Sequence, residues 1–497
     1  MSGDGPIFDL DTTDLRQRSV RGAAVTSGAQ IIKFVLMLGS QILLARLLNP
    51  LDFGIIAMVA PVLGFVVVMA DLGIAQVIVQ RPGLTGAQLN SVFWLNNALT
   101  FCLSALLMLS APLLAWLYHE PRLISVTLVL AALVAVTGLS MQQSALLNRM
   151  MRFSALAVSE TLSQAAGLTV TALAALKGFG YWSLVMGQAA TTLTAGIVVW
   201  SASSWRPSLP SFRGEALSML RFGGNITVSN VAQYLNTVFD NVLVGYWLGA
   251  VLLGIYDRAW KLVVMPLGQL MAPLNRVAVP ALSRLADNPE RYQNAFGQMF
   301  RLLLLISLPG LVIGVLTAEP LIRILFGVKW QAVGPVFFWL CLGSMLTPLN
   351  TAIFWLFVSQ GRARDQMIYG TAAALINMTT YVIGIHWGLL GVARTSAIVA
   401  FVVTSPVLVL AACRKGPIDT RFVWTSLYPA ILATVAAAAA LELYAWFVGV
   451  TGLMDLVALA ILAYGASLLV LSAFATGRAT LREAVTVFRS FKERRGG

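Results

Sequence analysis

Charged and polar side chains inside otherwise apolar blocks are the residues of this sequence that could do chemistry. One such block carries Asn236 and Asp240, and the next carries Asp257, Arg258 and Lys261. A charge that leaves water for an apolar medium is costly unless it is paired or meets a ligand of opposite sign. Buried positive side chains therefore suit an anionic ligand, and phosphate is the commonest anion of this kind.

A polar stripe runs along the first of these blocks. Ser229, Gln233, Asn236 and Asp240 are separated by four, three and four residues, so they lie on one face of a helix. Exposing such a stripe to lipid would cost considerable free energy. The stripe lies either against a partner helix, through amide hydrogen bonds, or along a water-filled cavity; the charge of Asp240 favours the cavity.

The second block places Arg258 and Lys261 on a shared helical face. At 1.5 Å per residue, Lys261 lies about 10 Å and Asp240 about 12 Å from the intervening turn, so the two could form an ion pair. Arg258 is shallower and is expected to extend outward toward water. Asp257 is its chain neighbour, and neighbours on a helix are not expected to pair.

Three further cations belong to the candidate set. Lys33 lies about two turns inside its apolar block, where it either extends to the inner surface or contributes to a cavity. Arg46 and Arg394 lie near the outer ends of theirs, which favours anchoring. Two carboxylates near inner ends, Asp71 and Glu160, are expected to be in water. The predicted cationic set is Lys33, Arg46, Arg258, Lys261 and Arg394, and the predicted polar coupling face is Gln233, Asn236 and Asp240.

The elements that position these residues follow from composition. The chain has 497 residues, of which 58% are hydrophobic and 11% charged, whereas soluble domains are about a quarter charged. The apolar residues form blocks of about 20, enough to cross a hydrocarbon core of roughly 30 Å as helices. The sequence predicts an all-α integral membrane protein with about fourteen spans. The predicted spans are 26–47, 54–75, 92–115, 123–141, 156–176, 183–202, 223–247, 255–275, 302–319, 335–357, 366–385, 391–412, 425–449 and 455–476.

The net charge of +13 is explained by orientation in the membrane. With fourteen spans and the N-terminus inside, 24 of the 33 basic residues fall in cytoplasmic segments, five in the opposite loops if Arg46 at the outer edge of the first span is counted there, and four within spans. This asymmetry predicts that both termini are cytoplasmic. Orientation in the membrane therefore explains the positive charge better than nucleic-acid binding does. A helix starting at Asn288–Pro289 is expected along the cytoplasmic surface, and the basic tail is either an interfacial helix or a solvated segment.

An internal repeat relates spans 1–2 to spans 7–8. The aligned identities lie at one constant interval, and both copies contain a helix, a short turn with Leu and Gly, and a second helix. Since six spans precede the second copy, the copies would be parallel and related by an axis along the membrane normal, and transporters often bind substrate between such halves. The aligned pairs are Arg21 with Arg221, Leu48 with Leu248, Gly54 with Gly254, and Ile55 with Ile255.

Several classes of function find no support. His119 and His386 have no partners at metal or triad spacing, the three cysteines are far apart, and there is no phosphate-binding loop. The sequence therefore predicts neither an enzyme nor a cofactor. The first 25 residues are polar and the following apolar run is too long for a signal peptide, so that run is expected to stay in the membrane.

Two stretches resemble the signatures of Wzx-type polysaccharide flippases, in the multidrug/oligosaccharidyl-lipid/polysaccharide exporter superfamily. The first is 39–55, GSQILLARLLNPLDFGI; the second comprises 240–259, DNVLVGYWLGAVLLGIYDRA, with 280–285, PALSRL. The resemblance implies two six-helix lobes around a cationic cavity, plus two C-terminal helices. It implies the transfer of a polyprenyl-diphosphate-linked oligosaccharide across a bacterial inner membrane for surface polysaccharide synthesis. Lys33, Arg258 and Lys261 match the family's diphosphate-binding cations best, and Arg46 lies within the signature turn.

This resemblance sets the expected domains and partners. The domains are a cytoplasmic segment 1–25, a lobe 26–202, a linker 203–222, a lobe 223–412, two spans within 425–476 and a basic tail 477–497. The partners are the lipid-linked oligosaccharide, membrane lipid and a polymerase or export complex, with no nucleic acid.

Three rival functions stay open at this point. A multidrug or cation antiporter would prefer an acidic cavity, and a glycan polymerase or ligase would need a large outer loop. A scaffold of a synthesis complex would not need buried charges.

Overall fold

The computed structural model describes residues 32–71, 78, 85–208, 216–474 and 477–478, with backbone alone at 71, 216–230, 232 and 233. Within these residues all regular secondary structure is helical, and ten helical stretches are long and apolar enough to cross a membrane. The protein is therefore a multi-pass helical membrane protein, as its hydropathy predicts. The predicted N-terminal segment and nearly all of the basic tail lie outside the described residues.

The chain forms two compact units, Met1–Gly254 and Ile255–Gly497. The boundary between them falls inside a helix, whereas the sequence predicts the linker between lobes at 203–222. The lobe boundaries themselves stay a prediction. The long helical stretch Ala216–Ser283 breaks at Gly249, whose φ of 80° and ψ of 178° are not helical. We name its two parts α7 (216–248) and α8 (250–283).

The first unit is built from long helices joined by short turns. Part of its core is an aromatic cluster in which Phe93 meets the rings of Trp94, Trp200 and Trp205 edge-on. The helices before α7 are α1 (32–47), α2 (Pro50–Asp71), α3 (Gly86–Tyr118), α4 (Leu123–Arg149), α5 (Phe153–Leu176) and α6 (Tyr181–Ala202).

Local chemistry fixes where these helices begin. Pro50 is the first residue of α2, where its missing N–H costs nothing, and the Asp52 carboxylate accepts a hydrogen bond from the backbone N–H of Asn49. Thr85 and Gln88 form a capping box at the start of α3, each side chain accepting from the other's backbone N–H. These bonds satisfy donors that a helix start would otherwise leave without partners.

The aligned turns of the repeat pack against one another within the first unit. A Cβ atom at Gly54 would overlap the carbonyl oxygen of Ala250, and a Cβ at Gly254 would overlap the carbonyl oxygen of Pro50. The interval from Gly54 to Gly254 equals that from Pro50 to Ala250, so each copy places its glycine on the equivalent residue of the other. Only glycine permits this approach at either position.

The second unit continues with helices of the same kind. One of its core clusters joins the last two helices to α9 through Val312, Leu441 and Leu459. Short 3-10 turns lie at Val328–Trp330 and Ile385–Trp387, and a π turn lies at Ala400–Thr404. Its helices after α8 are α9 (Pro289–Leu316), α10 (Ala318–Leu325), α11 (Val333–Ser344), α12 (Thr347–Ser359), α13 (Ala363–Gly384), α14 (Gly388–Val399), α15 (Ser405–Cys413), α16 (Thr420–Phe447) and α17 (Leu453–Ala473).

The start of α9 is as predicted, but its course is not. Asn288 caps the helix by accepting from the N–H of Arg291, and Pro289 occupies its first turn. The helix then continues to Leu316 instead of ending as a separate surface helix. The reason is that the buried rings of Tyr292, Phe296 and Phe300 recur every fourth residue, so one packed face extends into the span.

Each unit contains an equivalent arginine contact. Arg152 precedes α5 and donates to the carbonyl oxygen of Ala202 at the end of α6, at 2.8 Å. Arg362 precedes α13 and donates to the carbonyl oxygen of Ala412 near the end of α15, also at 2.8 Å. The interval from Arg152 to Arg362 equals that from Ala202 to Ala412. An arginine thus closes the C-terminal end of a helix in each unit, where its charge also complements the helix dipole.

Candidate functional site

Three ionisable side chains form a cluster on α8, and two of them, Asp257 and Arg258, are buried. The two carboxylate oxygens of Asp257 each hold a cation: Oδ1 lies 2.8 Å from Lys261 Nζ, and Oδ2 lies 2.7 Å from Arg258 Nη2. The Arg258 Nε also donates to Oδ2, at 3.2 Å. We call Asp257, Arg258 and Lys261 the α8 cluster. It carries two positive charges and one negative charge.

The two cations of the α8 cluster differ in exposure. The Arg258 side chain is 6% exposed, whereas that of Lys261 is 29% exposed. Asp257 and Lys261 lie one turn apart, which puts them on the same helical face. The buried residues Tyr256 and Ala259 pack this part of α8 into the protein. Lys261 is therefore the more accessible cation of the cluster, and Arg258 is enclosed.

Two expectations about this cluster were wrong. Arg258 does not extend to the outer surface, because it is buried, and it does pair with its chain neighbour Asp257. Successive side chains of a helix point apart, but the long arginine stem allows the guanidinium to turn back. Burial supplies the reason, since an enclosed carboxylate needs charged donors.

Lys33 on α1 pairs with a carboxylate from a different helix. Its Nζ lies 2.8 Å from Oε2 of Glu160 on α5, within the first unit. The Lys33 side chain is 29% exposed, as is that of Lys261, but Glu160 is 57% exposed and therefore much more open than Asp257. Glu160 was expected to be merely in water, but it is the counter-ion of a candidate site cation. We call Lys33 and Glu160 the α1–α5 pair.

Arg46 and Arg394 are exposed, in keeping with anchoring at a membrane surface. The Arg394 guanidinium lies 5.7 Å from the ring centroid of Trp339, a cation–π arrangement. Neither side chain belongs to the α8 cluster or to the α1–α5 pair.

The polar face of α7 is described in part. Asp240 is 4% exposed, and its Oδ1 accepts a hydrogen bond from the backbone N–H of Asn241 at 2.9 Å. Asn236 is half-buried, and the side chain of Gln233 lies outside the described residues. An ion pair between Asp240 and Lys261 stays a prediction; Lys261 has Asp257 as a partner here.

Sequence reasoning missed the two carboxylates that hold these cations. Asp257 carried a usable signal, since an aspartate four residues before a lysine is a favourable helical pair. Glu160 carried none, because its partner is on another helix, far away in the chain. Among the described residues no group of three or more His, Cys, Asp or Glu side chains could hold a metal ion.

Comparison with known proteins identifies the family. The model of the family described as "Polysaccharide biosynthesis protein" matches residues 43–335, more than half of the chain. The chain belongs to this family. The matched range includes the α8 cluster, Asp240 and Arg46, while Lys33 and Arg394 lie outside it. The resemblance to Wzx-type flippases is thereby confirmed.

Individual relatives agree with this assignment. The chain is 25% identical to the lipopolysaccharide biosynthesis protein WzxC of Escherichia coli K12 over 378 residues, which is 74% of this chain and 76% of WzxC. It is 26% identical to the succinoglycan biosynthesis transport protein ExoT of Rhizobium meliloti, over 63% of this chain and 64% of ExoT.

Among solved structures, the lipid II flippase MurJ in an inward closed conformation matches with a TM-score of 0.72. The match has 16% identity and covers 90% of this chain and 98% of that chain. At this identity the likeness establishes only that the two chains share a fold.

Proposed function

We propose that the protein is a flippase that moves a polyprenyl-diphosphate-linked oligosaccharide across the bacterial inner membrane, for synthesis of a surface or exported polysaccharide. The observation that carries this is the pair of cations bound to Asp257 on the membrane helix α8, in a chain that belongs to a polysaccharide biosynthesis family. A diphosphate must leave water to cross a bilayer, which is costly for a charged group. Positive side chains inside the protein offset that cost through charge-assisted hydrogen bonds.

Five cations and one polar face form the proposed substrate path. Lys33 and Lys261 bind the diphosphate directly, and Arg258 supports Lys261 from its enclosed position. Arg46 and Arg394 act nearer the outer surface, while Gln233, Asn236 and Asp240 line the polar side. The predicted partners are the lipid-linked oligosaccharide, membrane lipid, and a polymerase or export complex that receives the product.

The proposed topology has fourteen spans in two six-helix lobes plus two C-terminal helices. Two changes together raise the ten candidate spans to fourteen. Tyr234–Ser283 and Ala363–Cys413, of 50 and 51 residues, each count as two helices, and α1 and α5 are added. Each long stretch contains a glycine with positive φ, Gly249 or Gly388, at which the chain can turn. The charge asymmetry of the loops then puts both termini in the cytoplasm.

Cysteine labelling tests this topology. Single cysteines introduced beside Gly178 and Gly327, in a chain whose own three cysteines are replaced by alanine, should react with an impermeant reagent added outside. A cysteine beside Arg364 should react only after the membrane is permeabilised. Labelling beside Arg364 from outside would contradict the fourteen-span arrangement.

The function itself is tested with the purified full chain in proteoliposomes. The substrate is a fluorescent polyprenyl-diphosphate oligosaccharide, and its transfer between leaflets is followed by the loss of protection from an impermeant quencher. The chain should accelerate this transfer, and Lys261→Ala should accelerate it far less, although it inserts normally.

Two control substrates sharpen the assay. A fluorescent phospholipid should not be transferred, since it lacks the diphosphate. Ethidium should not be moved against its gradient, because a cation gains nothing from the positive side chains. Equal transfer of the phospholipid, or transport of ethidium without transfer of the oligosaccharide lipid, would overturn the proposed function.

A further inference from the structure

The α8 cluster holds a carboxylate where a site for an anion would be expected to hold cations alone. Asp257 is buried, and both of its oxygens are occupied, one by Lys261 and one by Arg258. A carboxylate in this position reduces the net charge of the cluster from two positive charges to one. It also competes with any phosphate for the ammonium group of Lys261.

The two bonds of Asp257 are not equally open to exchange. Lys261 is 29% exposed and sits on a flexible four-carbon stem, whereas Arg258 is 6% exposed and holds Asp257 through both Nε and Nη2. An entering anion therefore meets Lys261 first. The Arg258–Asp257 pair can stay in place as a fixed base while Lys261 changes partner.

We propose that Asp257 is a positioning residue for transport: it holds Lys261 in place between transport events and gives it up to the diphosphate of the substrate. This inference rests on the proposed function and names a residue that the cation set does not include. Each phosphoryl group of the substrate carries a negative charge, so a diphosphate attracts the ammonium group more strongly than a single carboxylate does. When the diphosphate leaves, Asp257 takes Lys261 back.

The exchange explains how the protein binds the substrate without retaining it. Two uncompensated cations on one helical turn inside the protein would hold a diphosphate tightly, because charge attraction is strong in a medium of low dielectric. A built-in competitor lowers the affinity and speeds release. It also keeps the empty site from burying two like charges side by side, which is strongly unfavourable.

The test separates affinity from turnover in Asp257→Asn. The probe is farnesyl diphosphate binding to the full chain in nanodiscs, measured beside oligosaccharide-lipid transfer in proteoliposomes. Asparagine is close in shape but uncharged, so the Kd for farnesyl diphosphate should fall by about tenfold while transfer slows, the size expected for removing a competing charged hydrogen bond. A purely structural role predicts lower abundance and weaker binding instead.

Two further variants complete the test. Lys261→Gln removes the ammonium group for which Asp257 and the diphosphate compete. Adding Asp257→Asn to this variant should therefore leave the Kd for farnesyl diphosphate unchanged. Asp257→Glu keeps the charge and should bind farnesyl diphosphate with nearly the original Kd; it also serves if Asp257→Asn accumulates poorly. An original chain that neither binds farnesyl diphosphate nor transfers the oligosaccharide lipid would overturn the proposed function, and this inference with it. An original chain that does both, with an unchanged or raised Kd in Asp257→Asn, would overturn the role of Asp257 alone.

Discussion

The two copies of the internal repeat, α1–α2 and α7–α8, share a turn but not a charge pattern. At the turn, Gly54 and Gly254 make equivalent close contacts, each with the backbone of the other copy. Away from it, the positions that correspond to Asp257, Arg258 and Lys261 are Ala57, Met58 and Pro61, and Lys33 corresponds to Gln233. The repeat thus preserves the backbone approach and leaves the ionisable residues free to differ.

The ion pairs of the two copies differ in kind as well as in position. The α8 cluster is formed within one helix around a buried carboxylate, while the α1–α5 pair joins two helices and its carboxylate is exposed. A carboxylate faces the cation in both cases. The turn is a requirement of the fold, whereas the ionisable residues differ between the copies, and we propose that each copy supplies a different anion-binding position. The following experiments test that division.

The largest effect is expected at the shared turn. Gly54→Ala and Gly254→Ala would force a Cβ into a carbonyl oxygen, so the helices must separate. Each should lower stability by about 1–3 kcal/mol, as overpacked sites do. Membrane abundance and the thermal unfolding midpoint of the solubilised chain would measure the loss.

Each copy offers a matched control for this turn. Gly39 on α1 and Gly268 on α8 have no atom within 4 Å of an added Cβ. Alanine at these helical positions should be neutral or stabilising by about 0.5–1 kcal/mol. Equal losses at the turn and the control positions would show that glycine is not needed for the close approach.

The next largest effect is expected for Lys261→Ala. Transfer of the oligosaccharide lipid should fall by about tenfold or more, as one charge-assisted contact to phosphate is lost. Abundance should stay normal, since Asp257 keeps Arg258 as its partner. Arg258→Ala is the contrasting variant: it opens a cavity in the enclosed part of the cluster and should lower abundance. If Lys261→Ala transfers at the original rate, the cluster is structural.

A smaller effect is expected for the open pair. Lys33→Ala should slow transfer by several-fold to about tenfold, and Lys33→Arg should keep part of the activity because the charge remains. Glu160 is 57% exposed, so losing its partner should cost little stability. The double variant Lys33→Ala/Glu160→Gln discriminates between two roles. It should remain slow if Lys33 meets the substrate, and recover if the pair only joins α1 to α5.

The smallest effect is expected for Asp240→Asn. Asparagine keeps an oxygen that can accept from the N–H of Asn241, so abundance should change little. Loss of the charge should slow transfer by about threefold, in line with one modest polar interaction. Transfer at the original rate would remove Asp240 from the transport cycle and leave the polar face of α7 as a packing surface.

Much of the fold was predictable because bilayer physics acts on local sequence. The predicted spans 156–176 and 183–202 lie within the observed helices Phe153–Leu176 and Tyr181–Ala202. Asn288 and Pro289 predicted a helix start that the structure contains. Apolar blocks, caps and turn glycines each act over a few residues, so they can be read without knowing the neighbours.

The partners of the charges were decided by tertiary structure. The sequence placed Lys33, Arg258 and Lys261 in the membrane and marked them as a candidate anion site. It could not show that Glu160 faces Lys33, because helical spacing gives the face of a side chain but not which distant helix packs there. It also misjudged Arg258, since burial, which only packing determines, turns a side chain that would reach for water toward the nearest carboxylate.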